Sequence, residues 1–225
     1  MLQNANDAAA EAGRSGRACF TLTNTALIVA DNGTGFGELQ IEGICSLGRS
    51  PKGPGTSIGH KGLGFKSVGE ITDRPQIISE QALFQFDGER VRREILALFG
   101  SLPAEQRFPV YAFPFPVLDD DLGADAATVH KLLTDDFSTV IRLPLRESTA
   151  RETVARHLAE NLLPRLLLFL PGIEQLELRG TDADFSATIV RNPEGAAEHV
   201  LLEIDAETEA WVPQCVCRRQ EVAWF

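Results

Sequence analysis

The sequence predicts an α+β protein, an α/β sandwich in which a mixed, largely antiparallel sheet carries helices on one face. Three observations lead there. Two apolar runs near the start, ACFTLT (18–23) and ALIVA (26–30), follow each other almost directly, as the arms of a hairpin do. Amphipathic helical stretches then alternate with further strands, and the last part of the chain returns to consecutive strands. Strands in direct succession pair antiparallel, whereas interleaved helices need a sheet face to cover.

In chain order, LQNANDAAAEAG is alanine-rich and reads as a helix ending near Gly13 or Gly16. Asn24 and Thr25 join the first two strands as a tight turn, although the usual Asn-Gly pair is missing. DNGTGFG (31–37) is a loop with three glycines, and Leu39 to Cys45 forms a short helix. Residues 46–61 are polar and rich in Gly, Ser and Pro; a stretch of this length without its own structure is functional or disordered. GLGFKSVGEI reads as a glycine-rich turn entering a helix, and RPQIIS and ALFQFD as paired strands. Residues 88–99 have helical spacing with Val91, Ile95 and Leu98 on one side. Residues 100–136 are irregular apart from a short helix near 125–133. STVIRLPL is a strand, and Thr149 to Phe169 is an amphipathic helix interrupted at Pro164. IEQLELR, FSATIV, HVLLEID and WVPQCVC close the chain as strands. No internal repeat or low-complexity segment is present.

The bulk numbers narrow the function classes. The 225 residues suit one domain plus a piece of a second, and 44% hydrophobic with 24% charged residues is a globular balance. A net charge of −11 argues against nucleic acid or an anionic membrane as the main partner, since both need a basic surface. Four cysteines, Cys19, Cys45, Cys215 and Cys217, form no CxxC pair and read as buried thiols rather than metal ligands or a disulfide framework. The N-terminus has no apolar signal stretch, and the most apolar run, Leu162 to Leu170, is too short to span a bilayer and contains Arg165. A cytoplasmic location without membrane insertion is the expectation.

Three stretches carry chemistry, each weak alone. QNAND is a polar patch on a helix, DNGTG holds a turn-favouring Asn-Gly, and GHKGLGFKS is a glycine-rich loop before a helix, a place where free backbone donors and the helix dipole favour an anion. The familiar nucleotide motifs fail. A P-loop needs glycine before the lysine, but Phe65 precedes Lys66. Gly33, Gly35 and Gly37 run as GxGxG, not the dinucleotide pattern GxGxxG. Arg49, Lys52, Lys61 and Lys66 lie in a segment without an acidic residue, a local reversal of the chain's charge suited to a triphosphate.

In order and spacing the three stretches together resemble the GHKL (Bergerat-fold) ATPase superfamily. The chain looks most like the chaperone-like ATP-binding modules of sacsin and its bacterial relatives. The resemblance rests on QNANDA (3–8), SLGRSPK (46–52), IGHKGLGFKSV (58–68), ITDRPQIIS (71–79), TVIRLPLR (139–146) and LLLFLPGIEQLEL (166–178). It implies an ATP-binding domain over residues 1–180, N-terminally truncated. Residues 181–225 would be a strand-rich start of a following domain or an appended sheet.

The resemblance also implies roles. Asn4 takes the place of the asparagine that coordinates magnesium, a cation that needs few protein oxygens when phosphates supply the rest. Asp7, one turn on, would face the same pocket at the nucleoside side or order water. Asp31 matches the aspartate that accepts a hydrogen bond from the adenine amine, a bond guanine does not offer there. Gly33 and Gly35 would let the backbone approach the base. Gly59, Gly62 and Gly64 would form the phosphate-side loop above a buried Phe65, with Lys61 and Lys66 reaching phosphate. Thr139 would lie near the adenine. ATP and magnesium are thus the implied cofactors, and a protein client or partner domain an implied partner.

The match breaks at the general base. In the chaperone branch a glutamate four residues before the magnesium asparagine activates water, and here that position precedes Met1. Two explanations stay open: the sequence is a fragment, or the protein binds ATP without efficient turnover. Glu11 and Glu38 are poor substitutes. The expected function is therefore a chaperone-like ATPase in which ATP closes the 46–61 segment as a lid. A nucleotide-sensing or scaffold module is the alternative, with a histidine-kinase-type catalytic domain behind it.

Overall fold

The computed structural model describes residues 1–45, 65–101, 108–146, 151–161, 164–180, 186–194, 199–206 and 219–223. Its helices are α1 (Leu2–Ala12), α2 (Glu38–Cys45), α3 (Gly88–Phe99), α4 (Asp119–Leu122), α5 (Ala126–Thr134) and α6 (Arg151–Asn161). Its strands are β1 (Gly16–Leu22), β2 (Ala26–Asp31), β3 (Gln76–Ser79), β4 (Ala82–Phe86), β5 (Pro114–Pro116), β6 (Thr139–Pro144), β7 (Ile173–Gly180), β8 (Ser186–Glu194), β9 (His199–Ala206) and β10 (Arg219–Ala223). All ten form one sheet in the order β10-β9-β8-β7-β1-β2-β6-β3-β4-β5. Every neighbouring pair is antiparallel except β1–β7, so the mixed, largely antiparallel sandwich expected from the sequence is what forms. Strands β8, β9 and β10 extend the same sheet outward from β7.

Alternate residues of each strand face opposite sides, and the core divides accordingly. On the first face Ala18, Phe20, Leu27, Val29, Ile77, Phe84, Phe86, Ile141 and Leu143 lie beneath Leu2, Ala5 and Ala9 of α1, Val154 and Leu158 of α6, and Leu167. On the second face Cys19, Ile28, Ala30, Ile78 and Val140 meet Val117, Leu122, Val129 and Leu132 from the 117–132 segment. A smaller second layer, centred on α5, thus closes the other side of the sheet.

Local chemistry explains the element ends. Gly13, at φ 61°, caps α1, and its N–H returns to the carbonyls of Ala9 and Ala10. The β1–β2 turn forms across Asn24 and Thr25 as expected. In place of Asn-Gly, the Thr23 hydroxyl accepts from the N–H groups of Thr25 and Ala26. Asp87 caps α3 by accepting from the N–H of Arg90.

Several details differ from the sequence reading. Val91 of α3 is buried, but Leu98, two turns further along the same side, is 79% exposed. Only the first turns of the helix touch the core. The GLGFKSVGEI stretch enters a 3-10 turn, Lys66–Glu70, instead of a regular helix. The 149–169 helix is α6 followed by a 3-10 turn that begins at Pro164, where a missing N–H prevents helical continuation. The 100–136 region holds β5 and α4 besides the expected helix, each four residues or shorter and rich in Pro or Asp. WVPQCVC, with Cys215 and Cys217, lies outside the described residues.

A buried polar row crosses the second face. Arg142, Gln76 and Gln85 sit opposite one another on β6, β3 and β4. Arg142 donates to Asp125 (Nε 2.8 Å, Nη2 2.7 Å), to Gln76 (2.8 Å) and to the carbonyl of Asp121 (3.2 Å). Gln76 donates to Gln85, Gln85 to Asp121, and Thr25 to Asp125. The Arg142 and Asp125 side chains are only 7% and 4% exposed, so each charge depends on the other. On the surface, Arg146 pairs with Asp73 and ties the end of β6 to the turn before β3.

Removing one member of a buried pair strands the other. Arg142→Met is expected to lower unfolding stability by about 3–5 kcal/mol in a denaturant titration. Arg142→Lys is expected to leave most of that loss in place, because an ammonium cannot serve Asp125, Gln76 and the Asp121 carbonyl at once.

Candidate functional site

The site begins where β2 ends. Asp31 stands opposite Thr139 on β6, which stands opposite Ser79 on β3. Directly opposed residues share a face, so Asp31, Thr139 and Ser79 form one row on the first face, the side that α1 covers. Past Asp31 the chain turns through 32–37 over the ends of these strands. Gly33 is pressed against α1: a Cβ there would lie 2.4 Å from the Ala8 Cβ and 2.9 Å from its carbonyl carbon. Gly35 sits at φ 77°, a left-handed conformation that side chains resist. Gly33 is thus required by its close approach to α1, and Gly35 by its left-handed backbone.

Asp31 is half-buried and poorly compensated. Its Oδ1 accepts from the N–H of Gly33 at 3.0 Å, and no other described group donates to the carboxylate. Burial pushes its pKa from 3.8 up to about 6, with the Gly33 N–H pulling weakly the other way. Thr139 beside it is 2% exposed. A half-buried carboxylate with a single described donor, next to a buried threonine, is the candidate binding position.

The α1 helix borders this row. It is held by its polar side as well as its alanines: Asn6 Oδ1 accepts from the N–H of Gly172 at 2.8 Å, and Gly16 donates to the Gly172 carbonyl at 3.0 Å. Asn4 is exposed and lies about one helical turn before Ala8, about 6 Å along the axis from the Gly33 contact. Asp7 is half-buried and accepts from the Asn6 amide at 3.3 Å. The fold therefore brings together Asp31, Gly33, Gly35 and Thr139, and the Gly33–Ala8 contact sets this turn against the helix that carries Asn4 and Asp7. Lys61, Gly62 and Gly64 lie outside the described residues. Lys66 opens the 3-10 turn, and its side chain is outside them too. Phe65 is buried as expected, edge-on to Phe86 and Tyr111.

Sequence reasoning missed the groups that shape the turn. Asn32 is buried and faces the opposite way from Asp31, accepting from the N–H of Arg17 (2.7 Å) and donating to the Ser15 carbonyl (3.1 Å). Ser138 donates to the Gly33 carbonyl at 2.7 Å, and Ser79 accepts from the N–H of Phe36 at 3.1 Å. Only Asn32 had a signal, its place in an Asp-Asn-Gly turn; the serines are ordinary strand-end residues in the sequence. Among the described residues no cluster of three or more His, Cys, Asp or Glu is disposed to hold a metal ion. None of their helices is long and apolar enough to cross a membrane.

Comparison with known proteins bears on the ensemble. The family model described as the sacsin domain matches residues 1–188, which include α1, the Asp31 turn, β3, β6 and β7. The chain is also similar to Protein NO VEIN of Arabidopsis thaliana, with 27% identity over 215 residues, covering 94% of this chain. It spans only 7% of that protein's length. With a family match over most of its length, this chain belongs to the sacsin-domain family.

Proposed function

We propose that this chain is an adenine-nucleotide-binding module of the GHKL type. The observation that carries the reading is Asp31, a half-buried carboxylate with one described donor, beside the buried Thr139 on the sheet face that α1 shares. An ionised carboxylate accepts the exocyclic amine of adenine, and a neighbouring hydroxyl can both donate and accept at the next ring position. A guanine, with a carbonyl in place of the amine, leaves the carboxylate facing an acceptor. Gly33 leaves no side chain between the Asp31 carboxylate and Ala8 of α1, and Gly35 none against Ser79.

Asn4 fits a magnesium-bridged phosphate tail in one respect: it offers a neutral oxygen on the exposed flank of α1, next to the turn. When bound, magnesium would supply charge neutralisation between the phosphates, keeping most of its own water. Asn4 would contribute one ligand and Asp7 would orient that water. The glycine-rich segment and Lys61, Gly62, Gly64 and Lys66 are the proposed phosphate side.

Binding is better supported than turnover. Among the described residues no glutamate stands beside Asn4: Glu11 lies about two turns further along α1, and Glu38 follows the turn at the start of α2. Hydrolysis, and a chaperone-like cycle in which the 46–61 segment closes over the nucleotide, therefore need a base from elsewhere. A binding or sensing role in the cytoplasm, serving a larger protein, is the reading that needs least beyond these residues.

The test is calorimetric titration of the folded chain with ATP in the presence of magnesium. Saturable ATP binding, with GTP weaker, is expected; a folded chain that takes up no adenine nucleotide sinks the reading. Asp31→Asn is expected to weaken ATP binding about 10–100-fold, the worth of a charge-assisted hydrogen bond. The same substitution is expected to stabilise the free protein. Because the folded pKa of about 6 exceeds the ordinary 3.8, ionising Asp31 costs stability as pH rises across that interval. The gain from Asp31→Asn should reach ~1–3 kcal/mol at pH 7.5 and fade toward pH 4, as read by urea unfolding at both pH values. ATP affinity of the unaltered chain should in turn fall roughly tenfold per pH unit below about pH 6, a slope absent from Asp31→Asn.

A further inference from the structure

We propose that Ser138 and Ser79 are positioning residues that fix the Asp31–Gly37 turn in the shape that discriminates between bases. The proposal rests on the adenine-nucleotide reading of the pocket and adds the groups that give it selectivity.

The turn crosses the ends of β6 and β3, and each strand end sends up one serine. Ser138 binds it twice: its N–H donates to the Asp31 carbonyl at 2.9 Å, and its hydroxyl donates to the Gly33 carbonyl at 2.7 Å. Gly33 is also the residue whose N–H holds the Asp31 carboxylate. Ser138 thus grips the far side of the residue that orients the base-reading group. At the other end of the turn, the Ser79 hydroxyl accepts from the N–H of Phe36. Between the two lies Gly35, whose absent Cβ would stand 3.0 Å from the Ser79 Oγ and 3.7 Å from the Ser138 carbonyl. Its left-handed backbone is thus held from both sides.

Such bracing has a specific consequence. A carboxylate that can swing away relieves its repulsion from the wrong base, so discrimination requires a rigid mount, held within about 0.5 Å of its productive position. Loss of a staple should therefore degrade selectivity more than phosphate binding. Ser79 and Ser138 keep their chain positions and their strands; what their hydroxyls add is the tie to the turn.

Calorimetric titration of the whole chain with ATP, GTP and inorganic tripolyphosphate tests this. Ser138→Ala and Ser79→Ala are each expected to shrink the ATP-to-GTP affinity ratio about fivefold to tenfold, the worth of one hydrogen bond, while leaving tripolyphosphate affinity unchanged. Ser138→Thr, which keeps the hydroxyl, is expected to retain the ratio. Amide hydrogen exchange without ligand gives a second measurement: Ser79→Ala should speed exchange at Phe36. An unchanged ratio in both alanine variants overturns the proposal, as does an equal loss of affinity for all three ligands, the mark of a merely structural role. Unaltered exchange at Phe36 in Ser79→Ala also overturns it. A wild-type chain that binds tripolyphosphate but neither nucleotide, or binds both nucleotides equally, overturns the pocket reading itself and this proposal with it.

Discussion

The close approach of α1 to the sheet is the constraint on which the rest depends. A helix normally rides on long side chains, but here alanines at 5, 8 and 9 and glycines at 16, 33 and 172 let backbone meet backbone. At Gly16 a Cβ would stand 2.1 Å from the Gly172 carbonyl, and at Gly172 it would stand 2.6 Å from the Asn6 carbonyl. No side chain larger than hydrogen fits such gaps. Asn6 then accepts from the N–H of Gly172 and fixes the helix along its axis. The result is a shallow roof over β1 and β7 that touches the turn after β2 at Gly33. With a thicker interface, Asn4 and Asp7 would stand well away from Asp31, and the row would face open solvent. The family segments QNANDA and LPGIEQLEL are therefore linked by packing, the first supplying the helix and the second the glycine it locks onto.

Beneath this roof the fold accepts an electrostatic cost. Asp31 ionises at about 6 instead of 3.8 because the site removes water without supplying partners. On the other face the same sheet does the opposite. Arg142 and Asp125, more deeply buried than Asp31, are matched by Gln76, Thr25 and the Asp121 carbonyl. Every nitrogen of that guanidinium has an acceptor, whereas the Asp31 carboxylate has one described donor, a backbone N–H.

Much of this was legible in the sequence, and what was not has identifiable causes. The hairpin of β1 and β2, the end of α1 at Gly13 and the pairing of β3 with β4 follow from apolar spacing and turn residues, which are local signals. Asp31, Gly33, Gly35 and Thr139 were found by the order of motifs, and the fold does bring them together. The second layer around α5 was not legible, because it depends on which residues of β6 and β3 face each side, and a one-residue change of register reverses that assignment. Arg142 looks like a surface residue in RLPLR, and only the pairing with Gln76 across the sheet shows it to be interior. Leu98 failed for a related reason: helical spacing fixes which residues share a side, but not how far along the helix the core extends. Ser79 and Ser138 carry no pattern at all, since their work is done through backbone groups of a distant turn.

Strand β6 shows how these demands are reconciled in a few residues. Thr139, Ile141 and Leu143 point to the first face, Thr139 beside Asp31 and the other two in the core. Val140 and Arg142 point to the second, where they anchor α5 and the buried polar row. Ser138, just before the strand, ties down the turn. Because alternation is strict, the Arg142 network and the Thr139 site cannot shift independently: a slip that frees one exchanges the faces of both. The hydrogen-bonded Arg142 side of the strand thereby fixes the register that sets Thr139 beside Asp31.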